Sequence, residues 1–280
     1  MERVALAGVR RPGVTVVVAA LDEERWIERC LLALLRQTHP SYEVVVVDDG
    51  STDATALLAE RLGVRVLRQP HLGAGAARDA GLRAARGEIV VFADADDVYD
   101  PDFLERLTAP FADPGVRATF PGGASFLNRG EGLAREWLWV RGFEDGRPPA
   151  YGSTNPIAKA VRRKIVLGLG GYPHAGWGED LLLGERVGPA LVVPDARWQV
   201  TVPASSREIF RSARWMGRGP RFKRERPPLW LLLPPVGWAR AIARARHGGT
   251  RLAWVQLLYD AGRVIGLAES GLRPRLRGSP

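Results

Sequence analysis

The stretch VTVVVAA, Val14 to Ala20, decides the fold. Its apolar and β-branched residues run on without alternation, the pattern of a strand covered on both faces in a parallel sheet. Reading outward, Asp22 to Arg36 carries the apolar stripe of a helix, with Trp26, Ile27, Cys30, Leu31, Leu34 and Leu35 on one side. Tyr42 to Val47 is a second buried strand and ends at Asp48-Asp49-Gly50-Ser51. A helix is expected from Asp53 to Leu62, with Ser51 or Thr52 as its cap. Val64 to Leu67 reads as a third strand. Ala74 to Arg86 reads as a helix closed by Gly87 as C-cap, and Glu88 to Ala93 as a fourth strand. Asp100-Pro101 opens another helix, with proline in the first turn. Strands alternating with helices predict an open parallel sheet with helices on both faces, and ligands in such sheets bind at the carboxyl ends of the strands.

Beyond Phe111 the pattern loosens. Val116 to Leu127 holds strand-like pieces around a Gly-Gly turn, Leu133 to Phe143 a Trp-bearing helix, and Asn155 to Leu169 a mixture. A helix follows Glu179-Asp180. Near Pro203 the composition turns Arg- and Trp-rich. The expected division is a catalytic domain over 1–204, with halves of 14–115 and 116–204, and a basic helical extension over 205–280.

The chain has 280 residues, 46% hydrophobic and 25% charged, which suits a packed globular core. Cys30 is the only cysteine, so no disulfide framework or cysteine zinc site can form within one chain, and a reducing, cytoplasmic setting is expected. The first residues, MERVALAGVRRPG, are short and polar for a signal peptide. No run reaches the ~18 apolar residues of a spanning helix. From Ser205 onward sixteen Arg or Lys face four acids, while the whole chain carries +9, so the first 204 residues are weakly acidic. A basic, Trp-containing tail predicts an anionic partner.

Six carboxylates follow strands: Asp22, Asp48, Asp49, Asp94, Asp96 and Asp97. Such clusters often make only solvated turns. Converging on one edge, they need hydrogen-bond donors or a cation. Hard divalent cations such as Mg²⁺ or Mn²⁺ take one or two carboxylates and complete their shell with water and substrate phosphate. The Asp-x-Asp of FADADD (Phe92–Asp97) fits that use. No G-x-x-x-x-G-K-[ST] loop exists, and ALDEER after the first strand has no glycine, so ordinary ATPase and dinucleotide-binding classes are disfavoured.

Five ordered motifs, VTVVVAALDEERWI, VVVVDDGSTDAT, GAGAARDAGLRAARGE, FADADDVYDPDFL and GGYPHAGWGEDLLL, resemble the family 2 glycosyltransferases of GT-A fold. The resemblance implies a metal-dependent, inverting transfer from a nucleotide diphosphate-sugar to an acceptor hydroxyl of a glycan or lipid-linked molecule. It places Ala19, Leu21 and Asp22 at the donor, Asp49 on the base with Asp48 beside it, Asp94 on the ribose, and Asp96 on Mn²⁺ or Mg²⁺. Arg78 contacts the donor or fixes the loop. Asp180 matches the general base, with Trp177, Glu179 and Arg214 toward the acceptor. Where the family usually has a Pro-Ala-Tyr-Asn-like turn this chain has Ala19-Ala20-Leu21-Asp22, and Asp79 replaces the usual asparagine after Arg78. The Q-x-x-R-W motif of processive members is absent; RSARW (Arg211–Trp215) keeps only its end. For residues 205–280 two readings stay open: an interfacial element on the anionic inner face of the cell membrane, or helices packed back on the catalytic domain. Nucleic acid ranks last as a partner. A sugar-nucleotide-binding or nucleotidyltransferase-like protein without glycosyl transfer is the alternative function.

Overall fold

The computed structural model describes residues 13–128, 130–141, 154–155, 157–174, 178–218 and 234–272. The chain divides into two compact units. The first comprises 1–123, 151–173 and 183–198; the second gathers 124–150, 174–182 and 199–280.

Among the described residues of the first unit, β1 (Val14–Ala20), β2 (Tyr42–Asp48), β3 (Arg65–Arg68) and β4 (Ile89–Asp94) are parallel neighbours in the order β3-β2-β1-β4. The sheet continues through β8 (Ala160–Arg162), β6 (Ala118–Phe126), β9 (Ala190–Val200) and β5 (Val98–Tyr99), with β7 (Thr154–Asn155) also on β9. β8 runs antiparallel to both β4 and β6. The uninterrupted apolar run of β1 has its cause here: β1 lies between β2 and β4, and Val16, Val17 and Val18 are fully buried. Each such side chain contributes about 1.5–3 kcal/mol of burial. The chain leaves β1 toward β2 and β3, then returns to place β4 on the other side of β1. That reversal opens a crevice at the carboxyl ends of β1 and β4.

Helices α1 (Ile27–Leu35), α2 (Thr55–Arg61), α3 (Ala74–Ala84), α4 (Phe103–Thr108) and α6 (Arg163–Gly168) belong to this unit, with Ile27, Cys30, Leu31 and Leu34 of α1 buried. Several expected boundaries move. The first helix starts at Ile27, not Asp22, because Ser51 Oγ, Thr55 Oγ1 and Asp53 Oδ2 take the N–H groups of Asp22, Glu23 and Glu24 and hold a turn there. Ser51 and Thr52 do not cap α2; they bond to Asp22 instead. Gly87 is no C-cap, since α3 ends at Ala84 with an extended Ala85. A Cβ on Gly87 would lie 2.6 Å from the Thr15 nitrogen, so the residue lets two backbones touch. Gly122-Gly123 is no turn either: both lie within β6, where a Cβ on Gly122 would meet Pro194 Cα of β9 at 2.9 Å.

In the second unit α5 (Ala134–Val140), α8 (Ser206–Arg218) and α9 (Pro234–Leu272) share a core of Ala134, Trp137, Leu138, Ile209, Met216 and Val255, with Val202 from the preceding segment. Trp137 meets Tyr259 edge to face at 5.5 Å, and Arg251 pairs with Glu136 at 3.2 Å. Helix α9 is not straight. Arg240 and Asp260 form an ion pair at 3.1 Å, whereas twenty residues of straight helix would separate them by about 30 Å. The reversal falls at Gly249, whose φ of 76° is left-handed and suits glycine. Pro234-Pro235 stand in its first turn, where the missing N–H groups have no helical partner to lose. No described helix is long and apolar enough to cross a membrane.

Candidate functional site

The β4 turn carries the densest chemistry. Asp94 ends β4 and is 39% exposed in its side chain. Its Oδ1 accepts from Arg78 Nη2 at 2.9 Å and its Oδ2 from Lys159 Nζ at 2.5 Å. Both cations are largely buried, with side chains 15% and 13% exposed. Burial opposes ionisation of Asp94, but the charges of Lys159 and Arg78 overcome it and hold the carboxyl well below the usual range. Burial likewise lowers the Lys159 ammonium, and Asp94 and Asp97 reverse that, so its net shift is upward. Asp96 stands apart: burial first, and the Asp94 charge second, push its carboxyl up to about 6. Asp97 is buried, and its N–H donates to the Asp94 carbonyl, closing the turn. Tyr99, also buried, takes the Asp94 N–H on its hydroxyl at 2.8 Å. Cys30 is buried beneath this turn with Sγ 3.4 Å from the Asp94 carbonyl, and burial raises its thiol.

Asp49 lies at the carboxyl end of β2, its side chain 3% exposed. Its carboxylate accepts from Gln69 Nε2 (2.6 Å), His71 Nδ1 (2.8 Å) and the backbone N–H groups of Leu72 and Gly73 (2.9 Å each). Asp48 accepts the Ser51 N–H at 3.3 Å, and its carbonyl takes the Gln69 N–H. The loop from Gln69 to Gly73 therefore sits on the Asp48-Asp49-Gly50 turn. Gly50, at φ 82°, permits this, because a Cβ there would meet the His71 nitrogen at 2.8 Å. Asp22, itself at φ 54°, accepts from Thr52 N and Oγ1. Ala20 accepts the Asp49 N–H, so Ala19, Leu21 and Asp22 adjoin the Asp48-Asp49 turn.

Asp79, where the family-like motif has asparagine, clamps a distant loop. Its Oδ1 takes the Tyr172 N–H at 2.8 Å, and its Oδ2 pairs with Arg83 at 2.8 Å. Tyr172 then packs edge-on to Phe92 of β4 and lies under the Arg78 guanidinium.

In the second unit, Glu179 and Asp180 open α7 (Glu179–Val187). Glu179 is buried, and Asp180 Oδ1 accepts the Leu181 N–H at 2.8 Å. Arg214 of α8 pairs with Glu269 of α9, which Arg218 also contacts. Trp177 lies outside the described residues.

The structure thus gathers Asp22, Asp48, Asp49, Arg78, Asp94 and Asp96 at the carboxyl ends of the parallel strands in the first unit. Lys159 was not singled out from sequence, nor were His71, Gln69 and Tyr99. Lys159 reaches Asp94 from the residue just before β8, and its one sequence signal was a lone lysine in an otherwise apolar PIAKAV stretch. The donor set suits a hard cation: carboxylate oxygens beside two cations able to counter a phosphate. Among the described residues no three His, Cys, Asp or Glu side chains form a closed metal cage. Mg²⁺ and Mn²⁺ do not require one when substrate oxygens complete the shell.

The family model Glycosyl transferase family 2 matches residues 15–156. The glycosyltransferase AglE of Haloferax volcanii is 31% identical over 175 residues, covering 58% of this chain and 57% of that protein. The chain spans about a third of the length of other curated relatives it matches. The mannosyltransferase PcManGT from Pyrobaculum calidifontis, solved with GDP-Man and Mn²⁺, superposes with a TM-score of 0.59 at 23% identity, over 94% of this chain and 88% of that one. S. aureus TarS 1–349 with UDP-GlcNAc gives 0.58 at 17% identity, over 91% and 90%.

Proposed function

This chain belongs to glycosyl transferase family 2 and has the GT-A fold, and from that premise we propose that it transfers a sugar from a nucleotide diphosphate-sugar to an acceptor hydroxyl with inversion. The observation that carries the reading is the Arg78–Asp94–Lys159 cluster beside Asp96 at the β1/β4 crevice. Asp94 faces the donor ribose. Arg78 and Lys159 counter the diphosphate. Asp96 would hold Mn²⁺ or Mg²⁺, and the nearby Asp94 charge favours a neutralising cation there. When bound, the cation would stabilise negative charge on the leaving diphosphate. Asp180 accepts the acceptor hydroxyl proton as that oxygen attacks the anomeric carbon, and Glu179 and Trp177 orient the acceptor.

The acceptor is a glycan or lipid-linked molecule of the cell envelope, and the second unit brings the enzyme to an anionic membrane face. Trp238 and Ile242, one turn apart on α9, are 62% and 58% exposed. Arg246 lies one further turn along, in a stretch of chain with net charge +12, which supports an interfacial role. Flotation with anionic vesicles tests this part; no binding at low salt rejects it.

The donor reading is tested by thermal shift with UDP-, GDP- and dTDP-sugars with and without Mn²⁺. A Mn²⁺-dependent rise with one nucleotide is expected, and no rise with any would reject the donor site. Asp180→Asn is expected to remove most turnover while leaving donor affinity within about twofold. Unchanged turnover would reject Asp180 as base.

A further inference from the structure

The carboxylate of Asp49 has no vacancy for a nucleotide base. An ionised carboxyl offers roughly four acceptor sites, and Asp49 fills four: Gln69 Nε2, His71 Nδ1 and two backbone N–H groups, all within 2.9 Å. Its side chain is 3% exposed, while the His71 ring bonded to it is 63% exposed. The imidazole is therefore the exposed end of this hydrogen-bonded pair.

The protonation pattern follows from the partners. Backbone N–H groups can only donate, and one falls on each Asp49 oxygen, so both oxygens act as acceptors. His71 Nδ1 must then be the donor to Oδ2. In the neutral ring this leaves Nε2 with its lone pair outward, as an acceptor. Leu72, beside His71, is 67% exposed, and Leu21, on the adjoining β1 turn, is 37% exposed. Leu21 stands where the family-like turn would carry an aromatic, and with Leu72 on the neighbouring loop it offers the face of a base an apolar surface.

We infer that His71 is the residue that selects the donor's base, and that it selects bases bearing a ring N–H: uracil, thymine or guanine. This inference rests on the nucleotide-sugar reading above. Such a base donates its ring N–H to Nε2. Cytosine and adenine present an unprotonated ring nitrogen at the corresponding place, so two lone pairs would face each other.

Titration calorimetry of the full chain with UDP, dTDP, GDP, CDP and ADP in Mn²⁺ tests this. The wild-type protein is expected to prefer one of the first three at least tenfold over CDP and ADP. His71→Ala shrinks that preference about five- to tenfold, the worth of one neutral hydrogen bond. Gln69, Leu72 and Gly73 still hold Asp49, so the fold is expected to survive. His71→Arg keeps a donor for Asp49 but offers the base only N–H groups, and is expected to reverse the preference toward CDP. A purely structural role for His71 would produce no reversal. A wild-type preference for CDP or ADP overturns the inference. Unchanged selectivity in His71→Ala or, if that variant does not fold, in His71→Arg also overturns it. No binding of any nucleoside diphosphate to wild type overturns the donor reading together with it, whereas binding with unaltered selectivity in the variants removes His71 alone.

Discussion

Lys159→Met tests the proposed diphosphate clamp most directly. Methionine keeps most of the apolar stem and removes the ammonium that lies 2.5 Å from Asp94. The fold should tolerate this, since Asp94 keeps Arg78 at 2.9 Å and is 39% exposed. Asp94 therefore stays paired and partly solvated when the ammonium is removed, and no lone buried charge is left behind. The effect on the ligand should be larger. Lys159 is 13% exposed, so its charge is poorly screened. Losing one charge-assisted hydrogen bond to phosphate removes about 1.5–3 kcal/mol. That is about a 10- to 150-fold weaker nucleoside diphosphate, since each 1.4 kcal/mol is tenfold. The nucleoside lacking phosphates should bind within about twofold of wild type. Calorimetry with both ligands in Mn²⁺ separates the outcomes. An equal loss for nucleoside and diphosphate would mean that Lys159 only shapes the turn. No loss for either would mean that the ammonium does not face the donor.

Three further outcomes are expected. Asp96→Ala should abolish the Mn²⁺-dependent part of the nucleotide thermal shift while leaving the ligand-free melting temperature nearly unchanged; a retained Mn²⁺ dependence would move the metal elsewhere. Glu269 sits between Arg214 and Arg218, and their hydrogen bonds lower its carboxyl from 4.5 to about 2. Its contribution is therefore fully present above about pH 4.5 and fades as pH falls toward 2. Melting curves over that range should show a loss that Glu269→Gln lacks, and parallel curves would contradict the pairing. Gly87→Ala would drive a Cβ to 2.6 Å from Thr15 N and 2.7 Å from the Val14 carbonyl carbon, both backbone atoms of the central strand. A loss of about 3 kcal/mol is expected in urea unfolding, and a variant as stable as wild type would refute the close approach.

The parallel half of the sheet was legible because burial on both faces writes a local signature. VTVVVAA and EVVVV need only their own residues to declare continuous apolar runs. The strand-end carboxylates were legible for the same reason: position after a strand fixes them at the sheet's carboxyl edge. What failed was capping and turns. Ser51 and Thr52 look like helix caps by local rule, yet Asp22, about thirty residues away, takes them. Gly122-Gly123 looks like a turn, yet β9 approaches β6 closely enough to require glycine.

Sequence alone therefore determined the open α/β sheet, the carboxyl edge where its acids gather, the family, and a cluster of acids needing a partner. Tertiary structure decided which partner each acid has. Lys159 and Asp94 are 65 residues apart and meet because β8 enters antiparallel beside β4. Asp49 is filled by a loop twenty or more residues on. The chain reverses at Gly249 to bring Arg240 onto Asp260. Periodicity records which face of an element is buried. It does not record which distant side chain shares that burial, and at a site of buried charges that pairing sets the chemistry.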